Sequence, residues 1–259
     1  MKRDGREYYR EVVKGKHSFL TIPALDSIGK ALHFFTSRQN AHGGNANGMQ
    51  QPDDWKYVAG VFGIDRERVV TVHQVHGDNI VTVDDRNFRS MGMVEADAMI
   101  TNAPGIAIGV ETADCLPVLL LDPAVPAVAA VHAGWRSTVK KIVGKTAQRM
   151  QQEFGSDPTR LLAAFGPAIG PECYEVDEPV MGRVREAFSF WKDVAVPRGN
   201  DKWGLDLVET NRLVLMEAGL REKNIHSLGM CTACRTDLFY SYRAEGRTGR
   251  MLSVIMIKQ

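Results

Sequence analysis

The chain has 259 residues, with 32 lysines and arginines against 31 acidic residues, and 44% of its residues are apolar. A net charge of +1 excludes a broad basic surface for nucleic acid, and no apolar stretch approaches the ~20 residues needed to cross a bilayer. We therefore expect a cytoplasmic protein that binds neither nucleic acid nor membranes. A chain of this length can bury a large core without disulfides. The sequence does not decide whether the protein is a monomer or a homodimer.

The predicted elements begin after a polar N-terminal extension, residues 1–16. Short apolar runs typical of β-strands dominate the first half, and several are continuously apolar, as in strands buried on both faces. They are Phe19–Ile22, Leu32–Thr36, Val69–Val72, Ile80–Val83, Ala98–Thr101, Ile106–Val110, Val118–Leu121 and Ala127–Val131. The segment Asn40–Asp54 is rich in Asn, Gly and Gln and is predicted to be a connecting loop.

Apolar residues with the spacing of an α-helix begin in the second half of the chain. Apolar residues recur three and four apart from Val139 to Phe154, with Ser137 as the predicted N-cap, and a strand, Leu161–Phe165, follows. We expect Ala127–Phe165 to form a βαβ unit with a right-handed crossover. The remaining predictions are helices at Pro179–Trp191 and Leu205–Ala218, the latter ended by Gly219, and a hairpin of Leu238–Tyr242 with Met251–Ile257. These elements predict one domain, residues 1–259, of mixed α/β (α+β) class.

Three polar clusters border predicted strands, where a rigid sheet presents side chains to a cleft. They are His73–Gly77, Thr112–Pro117 and Val131–Arg136. One cysteine and two histidines suit Zn²⁺, which catalytic sites hold through three protein ligands. His76, Cys115 and His132 come from three different elements, a spacing that favours a catalytic site over a zinc finger. The alternative is that each residue packs or forms hydrogen bonds without a metal.

Side chains three apart on a strand face opposite sides, so His73 and His76 are not expected to bind one metal together. We expect His76 at the mouth of the strand, and His73 packed or supporting a ligand.

Other motifs are weaker. Cys231 and Cys234 have the separation of half a zinc ribbon, but no second pair completes it, so we interpret them as structural. Gly144–Thr146 resembles the end of a phosphate loop, yet the loop's first glycine would fall at Val139, inside a predicted helix.

Anion binding has three candidates at strand ends. They are Arg38, Arg136 and Arg243. Arg136 also lies where a strand turns into a helix, whose N-terminal N–H groups favour phosphate. Each could equally be a solvated surface arginine.

Taken together, several motifs resemble the bacterial laccase-domain family, the YfiH/YlmD-like proteins. They are His73-Gln-Val-His76-Gly77, Ala96-Asp97-Ala98, Thr112-Ala-Asp-Cys115-Leu-Pro117, Ala130-Val-His132-Ala-Gly-Trp135-Arg136, Phe165-Gly-Pro-Ala-Ile-Gly170-Pro171 and Phe239-Tyr-Ser-Tyr-Arg243. The resemblance covers about residues 30–258. It departs after Arg38, where extra residues precede Gly43 and Gly44.

The resemblance implies a zinc-dependent purine nucleoside phosphorylase whose metal is held by His76, Cys115 and His132. Its substrates would be adenosine, inosine and methylthioadenosine, cleaved with phosphate, with adenosine deaminase activity as a further expectation. Arg38, Arg136 and Arg243 would hold phosphate, and Asp114 would orient a ligand or move a proton.

Three alternatives remain. The first is a metal-free cysteine hydrolase with Cys115 as nucleophile and His132 as base, oriented by Asp114 or another polar group. The second is a copper polyphenol oxidase, for which seven histidines are few. The third is a non-enzymatic partner protein with a vestigial cleft.

Overall fold

The computed structural model describes residues 2–3, 6–7, 9–14, 17–38 and 52–259 of the chain. The described strands are β1 (Lys2–Arg3), β2 (Arg6–Glu7), β3 (Arg10–Lys14), β4 (His17–Thr21), β5 (Ala31–Thr36), β6 (Val69–Val70), β7 (Ile80–Thr82), β8 (Ala98–Thr101), β9 (Ala107–Thr112), β10 (Leu116–Asp122), β11 (Ala127–Ala133), β12 (Leu162–Phe165), β13 (Glu175–Val176), β14 (Ala195–Gly199), β15 (Lys202–Leu205), β16 (Ile225–Ser227) and β17 (Met251–Ile257).

The described α-helices are α1 (Pro23–Asp26), α2 (Pro52–Phe62), α3 (Trp135–Val139), α4 (Ile142–Phe154), α5 (Glu178–Ala187), α6 (Trp191–Val194), α7 (Leu207–Glu217) and α8 (Tyr242–Glu245). Short 3-10 helices occupy Arg66–Arg68, Phe88–Met93 and Glu222–Asn224.

Two six-stranded sheets form the centre of the fold. The first, which we call the site sheet, has the order β16-β12-β10-β11-β8-β7. The second, the terminal sheet, has the order β3-β4-β5-β17-β9-β6. Both sheets mix parallel and antiparallel pairs, as the mixed α/β prediction requires. A three-stranded sheet, β13-β15-β14, and the β1-β2 pair lie outside them.

Burial explains why so many strands are continuously apolar. Alternate residues of β10 enter different cores: Leu119 and Leu121 pack against the terminal sheet, while Val118 and Leu120 pack against helices α4, α5 and α7. The outer face of the terminal sheet is covered by α2. The molecule is therefore layered as helix, sheet, sheet and helices, and both six-stranded sheets are apolar on both faces.

The N-terminal segment differs from the prediction. Residues 1–16 were expected to form a polar extension, but Arg10–Lys14 form β3, an edge strand that pairs with β4. Of the predicted Asn40–Asp54 loop, residues 40–51 lie outside the described part of the chain, and the chain is helical from Pro52.

The expected helix after β11 is two helices. Gly134, not Ser137, is the N-cap residue of α3, and Ser137 is buried inside that helix. Lys141 has a left-handed backbone, with φ of 59°, and separates α3 from α4. In the predicted βαβ unit, β11 and β12 are both antiparallel to β10, which lies between them, so they run parallel to each other.

The predicted C-terminal hairpin is wrong. Met251–Ile257 form β17, which lies between β5 and β9 rather than beside a strand at Leu238–Tyr242. The chain before it turns into α8 instead, because the Ser241 side chain accepts a hydrogen bond from Ala244 N at 3.2 Å and caps the helix.

Candidate metal centre and cleft

The three predicted metal ligands lie at one end of the site sheet. Cys115 directly precedes β10, and His132 is the penultimate residue of β11. Because β10 and β11 are antiparallel neighbours, the start of one strand adjoins the end of the other. His76 arrives from the loop between β6 and β7, where its backbone is left-handed with φ of 58°.

The ligand atoms of His76, Cys115 and His132 all lie within 4.8 Å of one another. Cys115 Sγ is 3.8 Å from His76 Nε2, and the two imidazole rings meet edge to face with centroids 4.7 Å apart. His132 is buried, Cys115 is half-buried and His76 is partly exposed. A group of this composition and size could bind a metal ion.

Asp97 organises this group, and sequence reasoning assigned it no role beyond a family motif. Its fully buried carboxylate accepts a hydrogen bond at 2.7 Å from His132 Nδ1. The same carboxylate accepts from the backbone N–H groups of His76 at 2.9 Å and Gly77 at 2.5 Å. One side chain therefore orients one ligand and holds the loop that carries another, and it leaves His132 Nε2 for a metal.

The charges of the centre stabilise one another. Burial alone would raise the pKa of the Cys115 thiol, but the charges and hydrogen bonds of His132 and His76 lower it to about 6. Burial would lower the pKa of His132, yet Cys115 and Asp97 raise it to about 9. These shifts favour a thiolate beside an imidazolium when no metal is bound, and metal binding would displace the imidazolium proton.

The backbone around the group supports a compact metal site. A Cβ at Gly134 would lie 2.9 Å from Cys115 Sγ and 3.0 Å from His76 Cδ2, so only glycine lets the end of β11 pass this closely. Sulfur and imidazole nitrogen are the donors that Zn²⁺ prefers, and three of them leave a fourth position open. The residues present therefore fit a zinc ion.

A cleft of about 490 Å³ opens beside His76. Its lining residues are His76, Trp135, Arg136, Val139, Lys140, Arg183, Glu186 and Ala187. This volume is in the range of small-molecule sites. A cavity of about 540 Å³ between Arg66 and Phe88 is lined by none of the three candidate metal ligands and lies apart from this centre.

The hydrogen bonds of Asp114 join it to other segments of the chain, and its expected role in orienting a ligand stays a prediction. Its Oδ1 accepts from Thr232 Oγ1 at 2.6 Å, and its Oδ2 accepts from the backbone N–H of Arg243 at 2.7 Å. Asp114 is buried and left-handed, with φ of 86°. It holds the segments that form the neighbouring wall of the site, and a role in proton transfer stays a prediction.

Two of the predicted phosphate-binding arginines lie near the centre. Arg136 lines the cleft with its guanidinium 4.5 Å from the Trp135 ring centroid. Arg243 donates to Glu175 O at 2.8 Å and lies 5.2 Å from the Tyr174 ring centroid. Their phosphate role stays a prediction.

Arg38 is already engaged elsewhere. Its Nη1 forms an ion pair with Glu245 at 2.9 Å and a hydrogen bond to Thr236 O, and its guanidinium lies over Tyr240. The positive charge expected to bind phosphate is thus balanced by a carboxylate, and that role also stays a prediction.

Tyr174 is a second residue that sequence reasoning missed. Burial and the charge of Cys115 raise the pKa of its phenol, although Arg243 and Arg136 act in the opposite direction. The phenol therefore stays protonated and can donate a hydrogen bond within the site. No sequence pattern distinguished this half-buried tyrosine, whereas Asp97 carried a signal as a carboxylate directly before an apolar strand.

His73 differs from its expectation as well. It is exposed, and its backbone forms an isolated bridge with Glu95 rather than contributing to the metal centre.

Comparison with known proteins identifies the family of this chain. Residues 51–258 match the family described as multi-copper polyphenol oxidoreductase laccase. The chain belongs to this family. It is 32% identical to the purine nucleoside phosphorylase YlmD of Bacillus subtilis (strain 168) over 262 residues, covering 96% of this chain and 90% of that protein. Membership confirms the predicted resemblance.

Two further known proteins are similar to this chain. The adenosine deaminase RL5, from an unknown prokaryotic organism, is 35% identical over 206 residues, covering 76% of this chain and 78% of that protein. The crystal structure of the hypothetical protein YfiH from Bacillus licheniformis has a TM-score of 0.87 and 27% identity, covering 96% and 99% of the two chains. This match confirms the mixed α/β fold. Among the described residues, no helix combines the length and apolarity required to span a membrane.

Proposed function

We propose that this protein is a zinc-dependent purine nucleoside phosphorylase. It would cleave the N-glycosidic bond of adenosine, inosine or methylthioadenosine with phosphate, releasing the free base and ribose 1-phosphate or its methylthio analogue. The observation that carries the proposal is that the cleft beside His76 contains cationic and aromatic side chains, Arg136 and Trp135. The phosphorylase relative YlmD, which aligns over nearly the whole chain, supports it.

His76, Cys115 and His132 would hold the zinc ion. When bound, zinc supplies an electrophile for the base as it leaves with its bonding electrons. Asp97 keeps the His132 tautomer in which Nδ1 carries the proton, so Nε2 is available as a ligand. The same carboxylate prevents the His76 loop from moving away from Cys115.

Phosphate would bind on the cationic side of the cleft. Cleavage builds positive charge on the ribose, so an anionic nucleophile placed beside the sugar stabilises the transition state. Arg136 and Lys140 line the cleft, and Arg243 lies close by over Tyr174. The protonated Tyr174 phenol would add a hydrogen-bond donor to phosphate or the ribose.

We extend the proposal to deamination of adenosine at the same centre, because the relative RL5 carries that name and aligns over three quarters of the chain. Purine binding would be shared between the two reactions. Phosphate would be required only for the cleavage of the glycosidic bond.

The test is phosphate-dependent release of free base from inosine and adenosine. Wild-type protein loaded with zinc should release base only when phosphate is present, and His76→Ala should lose this activity. His73→Ala is the matched control, because His73 lies three residues away, is exposed and lies outside the triplet. Equal rates for wild type and His76→Ala, or release that is independent of phosphate, would contradict the proposal.

A cysteine hydrolase is the second candidate, and a specific observation favours it. The pKa of Cys115 is lowered and that of His132 is raised, which is the charge state of a cysteine–histidine nucleophile pair, and Asp97 orients the histidine. Zinc would protect Cys115 from alkylation if the metal site is correct. Rapid alkylation in the presence of zinc, with loss of a hydrolytic activity, would favour the hydrolase.

A further inference from the structure

A second group of thiols lies outside the metal centre described above. Cys173 follows Pro171 in a turn, whereas Cys231 and Cys234 lie in the turn after β16. The fold brings the three sulfur atoms within 4.8 Å of one another, and the Sγ atoms of Cys173 and Cys234 are 3.3 Å apart. Cys231 and Cys234 were interpreted from sequence as structural because no second cysteine pair completes a zinc ribbon. Cys173 lies about 60 residues earlier in the chain, so its spacing did not indicate that it joins them.

The surroundings of Cys231 favour a thiolate. Its sulfur accepts a hydrogen bond from Gly170 N at 3.2 Å, and the backbone N–H of Cys234 is a second donor. A Cβ at Gly170 would lie 3.3 Å from Cys231 Cβ, so a glycine allows this close approach. Donors aimed at a sulfur stabilise its deprotonated form, which is the form that binds metals.

Ordinary packing does not account for the group. Cys234 is exposed, and Cys173 and Cys231 are only half-buried. A tetrahedral zinc ion with Zn–S bonds of about 2.3 Å separates its sulfur ligands by roughly 3.8 Å. The Cys173–Cys234 separation of 3.3 Å is close to that value, and all three sulfur atoms lie within 4.8 Å of one another, so small rotations of the side chains would complete the geometry.

We propose that Cys173, Cys231 and Cys234 bind one zinc ion through three thiolates. Thiolate sulfur is the donor that selects zinc among the common divalent ions. Within the part of the chain that the structure describes, the cluster consists of these three ligands, and water would fill the fourth position on the exposed side of Cys234. Each thiol that binds zinc releases its proton to solvent. This inference does not depend on the proposed phosphorylase activity.

Zinc at this cluster would join two segments that line the neighbouring site. Ala168 N donates to Met230 O at 3.3 Å, and Thr232 N donates to Ala168 O at 3.0 Å. The turn that carries Cys173 also carries Tyr174, whose ring lies under Arg243. A zinc ion would therefore stabilise the segments that carry Tyr174 and Arg243, which lie beside Asp114 and Cys115.

Reciprocal variants of the full chain separate the two metal centres. After reduction, zinc loading and removal of free metal, wild-type protein should contain two equivalents of zinc. Cys115→Ser should lose the equivalent at the first centre, Cys234→Ser should lose the equivalent at the cysteine cluster, and the double variant should contain none. Each single variant is the control for the other, because each leaves the other three-ligand group intact.

Two further measurements on Cys115→Ser examine the cluster directly. X-ray absorption at the zinc edge should show a shell of three sulfur atoms at about 2.3 Å. Added zinc should raise the Tm of Cys115→Ser and should not raise that of the double variant, because a ligand that binds only the folded state stabilises it. One equivalent of zinc in both wild type and Cys234→Ser would overturn the proposal. A Cys173–Cys234 disulfide in reduced, zinc-loaded protein would also overturn it.

Discussion

Replacing Asp97 by asparagine should weaken both zinc binding and folding. The carboxylate accepts four hydrogen bonds, from the N–H groups of Val75, His76 and Gly77 and from His132 Nδ1. Oδ1 receives those of His76 and His132, and Oδ2 receives those of Val75 and Gly77. An asparagine amide supplies only one acceptor atom, so in either orientation its NH₂ group faces two of these four donors.

The expected magnitude follows from those contacts. An unsatisfied buried donor costs about 1–3 kcal/mol, and the three backbone donors are partly buried, so we expect the free energy of unfolding to fall by about 2 kcal/mol, near the lower end for two donors. Loss of a hydrogen-bonding partner of a metal ligand typically weakens metal binding by about 10–100-fold. Zinc binding weakens because the His132 ring is no longer oriented and the His76 loop is displaced. We therefore expect Asp97→Asn to show both losses together.

The assay is zinc competition against a chelator of known affinity, combined with urea unfolding of the zinc-free protein. Asp122→Asn is the matched control, because Asp122 is also a buried aspartate and lies at the opposite end of β10 from Cys115. Its Oδ1 accepts from Ala124 N and Val125 N, and asparagine keeps that acceptor. If Asp97→Asn binds zinc as tightly as Asp122→Asn does, the assigned role of Asp97 is incorrect.

Three further substitutions examine the centre and the cleft. Gly134→Ala should reduce zinc affinity in the same competition assay, since its Cβ would lie 2.9 Å from Cys115 Sγ; unchanged affinity would refute this. Tyr174→Phe should lower kcat/KM for inosine while zinc content stays at the wild-type level, and an unaltered kcat/KM would remove the phenol from the mechanism. Arg136→Ala should raise the KM for phosphate by about 10–100-fold through loss of a charged hydrogen bond, measured by varying phosphate at saturating nucleoside.

The strands of the central sheets were predictable because burial on both faces produces continuous apolar runs. Their partners were not, since pairing depends on contacts between distant segments. β17 illustrates this: its residues were assigned as a strand, but it pairs with β5, more than 200 residues earlier in the chain. The local sequence before β17 favoured a hairpin, whereas Ser241 caps a short helix there. A serine cap was a usable signal that the hairpin interpretation overlooked.

The division of the helix after β11 had no comparable signal. Left-handed backbone is favoured at glycine and asparagine, and the residue that adopts it here is Lys141. Its N–H donates to Thr138 O at 2.8 Å, which closes a turn between α3 and α4. Helical periodicity in the sequence continues across this turn because both helices bury apolar side chains against the same sheet.

The candidate metal ligands were accessible to sequence reasoning because His76, Cys115 and His132 are chemically distinctive and adjoin apolar strands. Asp97 and Tyr174 required the fold. Asp97 is the residue immediately before β8. It reaches His132 only because β8 pairs with β11 in a register that places Asp97 beside the histidine. Cys173 likewise joins Cys231 and Cys234 only through the contact between two loops.

Asp114 links the two thiol-containing groups. It immediately precedes Cys115, and its carboxylate accepts from Thr232, which lies between Cys231 and Cys234. The backbone of Asp114 is left-handed, a conformation that aspartate tolerates better than most residues. It turns the carboxylate towards Thr232 and towards the N–H of Arg243. A displacement of the Cys231 turn would therefore shift the Arg243 backbone and strain the peptide next to a metal ligand. Zinc at the cysteine cluster would restrain that displacement, which gives the proposed second site a structural reason to lie so close to the first.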